Sequence, residues 1–474
     1  MKGIVWFRED LRIYDNTALQ AAAHQCTDGV MGVYIIDPSM WRKHHIAACR
    51  IEFILRGLKL LSQDLNDLNI PLLILKVENT HDIPKELLKI SEKNQAKTLF
   101  YNRQYEANES QRDQLVENDL RKHQITCYSF DDQVILPPGS VKTQTGEPYS
   151  VFTPYKKAWK RAFTQSSIML PKRIKPQKLI DIKADSIPDI VDGFKSSIDP
   201  ALWPAGERSA ELRLRAFIEN QLFLYDKQRD FPSLTGTSQL SPYLSTGMIS
   251  PRLCFMEALT ANQQELDSGN SGALTWMSEL IWREFYKHLL VAVPRLSKSK
   301  PYQLNTEKIK WCYDEKLLKA WQEGKTGYPI IDAAMRQLNT TGWMHNRLRM
   351  VVAMYFTKNM FFDWRIGEDY FISHLIDGDL AANNGGWQWC ASTGTDAAPY
   401  FRVFNPISQS ERFDPEGKFI RQYCPELNAL DDKSIHDPYA RASLMVSRMD
   451  YPTPLINLKS SRTRAIEIFK TLNN

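Results

Sequence analysis

The sequence predicts an α/β N-terminal domain, built on a doubly wound parallel sheet, followed by a mostly α-helical domain. Three observations carry this reading. Short apolar runs alternate with amphipathic stretches across residues 1–130; a Pro-, Lys- and Ser-rich segment follows at 131–204; helical periodicity then dominates 205–474, where β-branched runs are scarce.

In the first part, GIVWF (3–7), GVMGVYII (29–36), IPLLILKV (70–77) and AKTLFYN (96–102) read as strands. Their near-continuous apolar character suits strands buried on both faces, as in parallel sheets. Between them, RIEFILRGLKLLSQDLNDL (50–68) repeats its apolar positions at helical spacing, which completes a βαβ rhythm. No GxGxxG follows the first strand, so a dinucleotide-binding fingerprint is absent. In 131–204, ILPPGSVKTQTGEPYSVFTPYKKAWKR and LPKRIKPQK have weak periodicity and read as a connector. Helices are expected over AELRLRAFIENQLFLYDKQ, SELIWREFYKHLLVAV, LLKAWQEG and NRLRMVVAMYFTKNM. No fixed-period repeat appears, and the tail after Asn405 reads as irregular.

At 474 residues and 43% hydrophobic content, the chain can bury cores for two or three domains. Arg8, Glu9 and Asp10 fall where a signal peptide has its apolar run, and no window approaches a bilayer-spanning length, so a cytoplasmic protein without membrane contact is expected. Seven scattered cysteines with no CxxC pair point to reduced thiols and to no metal site. The net charge of +5 is unevenly spread: residues 1–135 carry 17 basic and 19 acidic side chains, the remainder 43 and 36. An ordinary solvated surface and a polyanion-binding face both fit that balance.

Unusual chemistry is concentrated between Trp276 and Gln409, where tryptophans, arginines, acids and amides interleave more than a plain core allows. In WMSELIWREFY, Glu279, Trp282, Arg283 and Tyr286 share a helical face that suits a planar polar ligand, although a surface ion pair of Glu279 with Arg283 is the commoner cause of such spacing. GWMHNRLRMVVAM puts Asn346 and Met350 on one face and Arg347 and Arg349 on others, so the arginines can meet phosphate while the amide reads a base edge. IDGDLAANNGGWQWC carries Asp377, Gly378, Asp379, Asn383 and Asn384, a loop composition able to hydrogen-bond a heteroaromatic ring. TGTSQLSPYLSTG clusters Thr237, Ser238 and Ser241 ahead of a helix, as phosphate donors or as simple N-caps.

Together with WFREDLRIYDN, YEANE, TGYPIIDAAMRQL and ASTGTDAAPYFRVFNP, these motifs form an ordered series that resembles the DNA photolyase and cryptochrome family nearly end to end, and most of all its bacterial class I cyclobutane pyrimidine dimer photolyases. The resemblance implies an antenna-binding α/β domain at 1–130 and a helical FAD- and DNA-binding domain at 205–474. It implies FAD, active as the reduced anion, held by Tyr225, Thr237, Ser238, Gln239, Leu240, Ser241, Trp276, Arg283, Arg349, Asp377, Gly378, Asp379 and Asn383. Gln239 is a departure, because some relatives carry a basic residue there. Arg349 is expected to pair with Asp377.

The same resemblance makes Trp282 and Trp389 the walls that hold a flipped-out dimer, with Glu279 accepting its N–H groups and Asn346 and Met350 lining the pocket. It assigns DNA contact to Arg229, Arg283, Tyr286, Arg347, Arg402 and Gln409, and an electron chain to Trp387, Trp364 and Trp311, which would otherwise read as core aromatics. His44, Asn108, Glu109 and Lys298 match an antenna site for 5,10-methenyltetrahydrofolate. The expected partner is dimer-containing DNA and the expected state a monomer. Two alternatives stand beside repair: a blue-light-sensing cryptochrome, and a plain nucleotide-binding α/β protein with a helical module. Cryptochromes generally depart from NRLRM at 346–350 and usually lack a tryptophan at the position of Trp389.

Overall fold

The computed structural model describes residues 1–166 and 168–472, and it divides into two compact units. The first comprises Met1–Phe223, Ser238–Ser297 and Ile376–Asp379, and the second Leu224–Thr237, Lys298–Leu375 and Leu380–Asn474.

The first unit is built on five parallel strands, β1 (Lys2–Phe7), β2 (Val30–Ile36), β3 (Leu72–Lys76), β4 (Ala96–Asn102) and β5 (Thr126–Phe130), in the order β3-β2-β1-β4-β5. The central strands β1 and β2 are almost wholly buried, which is why their sequences run apolar without alternation. The fifth strand, TCYSF, was not among the expected ones. It is a half-exposed edge strand and so lacks the apolar run. Asp185 protects the opposite edge: its N–H donates to Leu72 O and its carboxylate accepts from Ile74 N–H.

The segment after β5 is tied into this unit by buried charge. Asp132 bridges Arg12 and Arg252 at 2.5 and 2.7 Å. Burial opposes its ionisation, but the two guanidiniums hold its carboxyl well below the usual range. Glu284, inside the Ser271–Ala292 helix, accepts from the N–H groups of Ile135 and Leu136 and from Trp159 Nε1.

In the second unit a helical core gathers Trp321, Leu338, Met344, Leu348, Phe356, Trp364, Phe371 and Trp387. The expected continuous helix over 346–360 changes hydrogen-bonding register at its end: Asn346–Met354 is α-helical and Tyr355–Asn359 forms a π-helical turn. The expected helix over 210–228 is broken, with Glu207–Asn220 followed by a 3-10 turn at Leu222–Leu224 and a short helix at Tyr225–Gln228. No helix among the described residues is long and apolar enough to cross a membrane.

Candidate functional site

Asn270 starts the Ser271–Ala292 helix by accepting from the Gly272 and Ala273 N–H groups. Its apolar stripe, including Met277, Ile281, Phe285 and Leu289, is buried, while Glu279, Trp282, Arg283 and Tyr286 lie half-buried along its flank. Arg283 donates to the backbone oxygens of Gln133 (2.5 Å) and Leu244 (3.3 Å), which fixes its guanidinium. Trp282 lies face to face on Phe152, with centroids 3.5 Å apart and planes at 10°, and Tyr286 stacks beside it at 5.7 Å. One face of the indole is therefore backed and its plane set. Trp276 is buried against Phe217 (5.0 Å) and so belongs to the core of this unit.

Beneath this face sits a buried polar cluster that the sequence reading missed. Lys287 is 1% exposed, and its ammonium lies 3.0 Å from Asp379 Oδ2 and 3.0 Å from Gln133 Oε1. Burial pushes the Glu106 carboxyl up to about 7; Lys287 opposes the shift, and Glu9, Glu109 and Asp379 add to it. Asp377 is buried two residues before Asp379. A lysine at helical spacing reads as solvated, so only its distant partners reveal Lys287.

In the Ser- and Thr-rich loop, Gln239 adopts a left-handed conformation (φ 49°) and its Oε1 accepts from Arg213 Nη1 at 2.8 Å. A guanidinium thus reaches the loop at the very position where the sequence lacks a basic residue. The short helix that follows, Ser241–Thr246, has Leu240 at its N-cap position, where no side chain caps it.

In the second unit, His345 Nδ1 accepts from Arg347 N–H and starts the Asn346–Met354 helix. Asn346 is exposed, and Arg347, Arg349 and Met350 are half-buried. Arg347 pairs with Asp230 (2.8 Å) and lies over the Phe413 ring (4.5 Å), while Arg349 donates to Met344 O (2.8 Å). Arg229 sits above Tyr225 at 5.8 Å. Asn383 donates to Glu368 O (2.9 Å), and neighbouring Asn384 donates to the Glu368 carboxyl (2.8 Å), which burial pushes up to about 7. Trp389 and Gln409 are half-buried and Arg402 is exposed.

Trp387 is buried edge-on against Phe371 (4.9 Å), Phe356 (5.6 Å) and Trp321 (6.3 Å). Gly367 makes room for it, since a Cβ there would sit 2.1 Å from the indole. Trp364 is buried under the Arg365 guanidinium (4.8 Å), and Trp311 is half-buried against Phe361 (5.1 Å). Trp321, fully buried beside Trp387, was not singled out in the sequence, where a lone tryptophan in an amphipathic helix reads as core.

Within the first unit, His44 Nε2 and Asn108 Nδ2 are 3.3 Å apart. His44 follows the Pro38–Lys43 helix, and Asn108 and Glu109 occupy the first turn of Ala107–Lys122. Glu109 is 8% exposed, its Oε2 has no hydrogen-bond partner, and with His44, Trp41 and Arg112 it lines a cleft of about 130 Å³. Lys298 belongs to the second unit and is exposed.

Residues 276–471 match the family model described as the FAD binding domain of DNA photolyase, and residues 3–176 match the model described as DNA photolyase. The chain belongs to the DNA photolyase family. It is 46% identical over 469 residues to the deoxyribodipyrimidine photo-lyase of Escherichia coli (strain K12), covering 98% of each chain, and 44% identical to that of Vibrio cholerae, covering 99% of each. Among solved structures it is similar to a bacterial class III photolyase from Agrobacterium tumefaciens (TM-score 0.89, 32% identity, 100% of this chain and 98% of that one). It is also similar to a Synechocystis sp. cryptochrome (TM-score 0.86, 25% identity, 98% and 99%).

FAD is the cofactor of this photolyase-family chain, and the residues present fit it. Polar side chains occupy half-buried positions, and the Nε1 of buried Trp387 has no hydrogen-bond partner. The family also uses a folate or similar antenna. The unpartnered Glu109 carboxylate oxygen suits the N–H groups of such a ring.

Proposed function

We propose that the chain is a deoxyribodipyrimidine photo-lyase that splits cyclobutane pyrimidine dimers in DNA under light. The observation that carries this is the half-buried face of Glu279, Trp282, Arg283 and Tyr286, with Trp282 held flat on Phe152. When bound in its reduced anionic form, FAD supplies an electron to the lesion and recovers it after the ring opens. The protein's part is to bind, orient and exclude water.

A dimer stacks and pairs poorly, so its extrusion from the duplex costs less than that of normal bases. Trp282 and Trp389 then hold it, Asn346 and Met350 line its pocket, and Glu279 accepts its N–H groups. Arg229, Arg347, Arg402 and Gln409 meet the DNA backbone. Tyr225, Thr237, Ser238, Leu240 and Ser241 hold the phosphates and ribitol of FAD, and Asp379 and Asn383 approach its ring. Trp387, Trp364 and Trp311 carry electrons toward the flavin, which the burial of the first two and partial exposure of the third support. His44, Asn108 and Glu109, with Lys298, hold a methenyl folate antenna. In this reading 1–130 is the antenna domain, 131–204 a connector and 205–474 the FAD- and DNA-binding part of a cytoplasmic monomer. The NRLRM pattern at 346–350 and Trp389 favour repair over light sensing.

Glu279→Ala tests the pocket. It should retain FAD and most affinity for DNA while repairing fewer dimers per absorbed photon; an unchanged yield would show that this face does not meet the lesion.

A further inference from the structure

We infer that the second unit carries a separate binding site for a nucleoside monophosphate, in a cavity of about 560 Å³ at the start of the Leu458–Thr471 helix. The volume falls within the range of small-molecule sites, about 300–1,000 Å³. The inference is independent of the repair reading, because none of the cavity's lining residues belongs to the flavin, lesion or antenna sets.

Two observations define the ligand. The first is a group of anion-binding donors. Lys459 and Arg462 line the cavity, are exposed, and make no ion pair among the described residues. They stand one helical turn apart at the N-terminus of a 14-residue helix, where the Asn457 side chain caps the Ser460 N–H and the N–H groups of Leu458 and Lys459 have no intrahelical acceptor. The second is an acceptor left waiting. Asn359, 1% exposed, lines the same cavity, and its Oδ1 has no hydrogen-bond partner, although its Nδ2 donates to Ser461 Oγ (3.0 Å) and its backbone oxygen accepts from Arg464 (3.0 Å). It ends the π-helical turn Tyr355–Asn359, a backbone irregularity often found at functional sites.

A bare anion leaves half of this site unused. The Asn359 oxygen has no protein donor, and the Asp437 carboxylate, half-buried in the same lining, can accept donors from a ligand and repels an unaccompanied phosphate. The walls between are Tyr328, Phe404 and Ile456, which suit a planar ring. A phosphate at Lys459 and Arg462, joined to a sugar and a base that offer O–H and N–H groups to Asp437 and Asn359, meets every requirement.

The test is uptake of AMP by the FAD-loaded protein, measured by isothermal titration calorimetry beside adenosine and inorganic phosphate. Saturable binding of one AMP is expected, at least tenfold tighter than either fragment, and Arg462→Ala, an exposed change that leaves the core alone, should weaken it at least tenfold. Glu109→Ala should leave AMP uptake intact, which excludes the antenna cleft, and Arg462→Ala should leave dimer repair unchanged. The inference is overturned if AMP does not bind, if Arg462→Ala leaves its affinity unaltered, if phosphate or adenosine alone binds as tightly, or if Arg462→Ala weakens undamaged DNA binding instead of AMP binding.

Discussion

The Arg213 guanidinium donates a 2.8 Å hydrogen bond to the side-chain oxygen of Gln239. The pair places positive charge beside the loop that is proposed to hold the flavin phosphates, where some relatives carry a basic residue in place of Gln239. Arg213→Ala should weaken FAD retention roughly tenfold, the loss of about one hydrogen bond to a charged group, with Arg213→Lys intermediate. Flavin fluorescence on dilution reads this out. Equal retention in the alanine variant would confine Arg213 to packing.

Lys287 and Asp379 form an ion pair with side chains only 2% and 12% exposed. Breaking such a pair strands one charge, whereas replacing both partners does not. Lys287→Met should cost about 3–5 kcal/mol in unfolding free energy, measured at matched excess FAD because bound cofactor stabilises the folded state. Adding Asp379→Asn should recover part of the loss. A double variant less stable than the sum of the single changes would refute the pairing.

Arg347 pairs with Asp230 at 2.8 Å, so in its proposed role at the DNA backbone it would first have to displace that carboxylate. Asp230→Asn should tighten binding to undamaged DNA and steepen its dependence on salt, while Arg347→Ala should flatten the slope by about one unit. Parallel salt titrations of both variants decide this. Identical slopes would remove Arg347 from the interface.

Lys358 is fully buried, donates to Ser392 Oγ (2.9 Å) and lies 3.6 Å from the Phe469 ring centroid. Burial depresses its ammonium to about 7. Because the folded value lies below the unfolded one, the neutral side chain's contribution to stability is present above the ordinary lysine range and is lost as pH falls toward 7. Lys358→Met removes this titration. Its melting temperature should rise relative to the parent as pH is lowered from about 10 to 7, and a constant difference across that window would show that Lys358 does not titrate there.

How much of this was legible in the sequence depended on whether the signal was local. Strands β1 to β4 announce themselves because two buried faces demand unbroken apolar runs. The edge strand β5 carries no such run, and the break after Asn220 falls inside a leucine-rich stretch that looks continuous. The face of Glu279, Trp282, Arg283 and Tyr286 follows from helical spacing alone, and His44 with Asn108 from matching motifs. Lys287, Arg213, Asp230 and Trp321 were not legible, because each takes its meaning from a partner far away in the chain: Asp379, Gln239, Arg347 and Trp387.

The most direct test of the repair reading uses the purified, FAD-reduced protein and a defined oligonucleotide that contains one thymine dimer. Intact thymines are counted after blue or near-ultraviolet illumination, with a matched sample kept in the dark. Restoration of both thymines under light, with none in the dark, is the expected result. Dimers left unchanged by illumination, while the protein retains its flavin and binds the oligonucleotide, would contradict it and leave a light-sensing flavoprotein in its place.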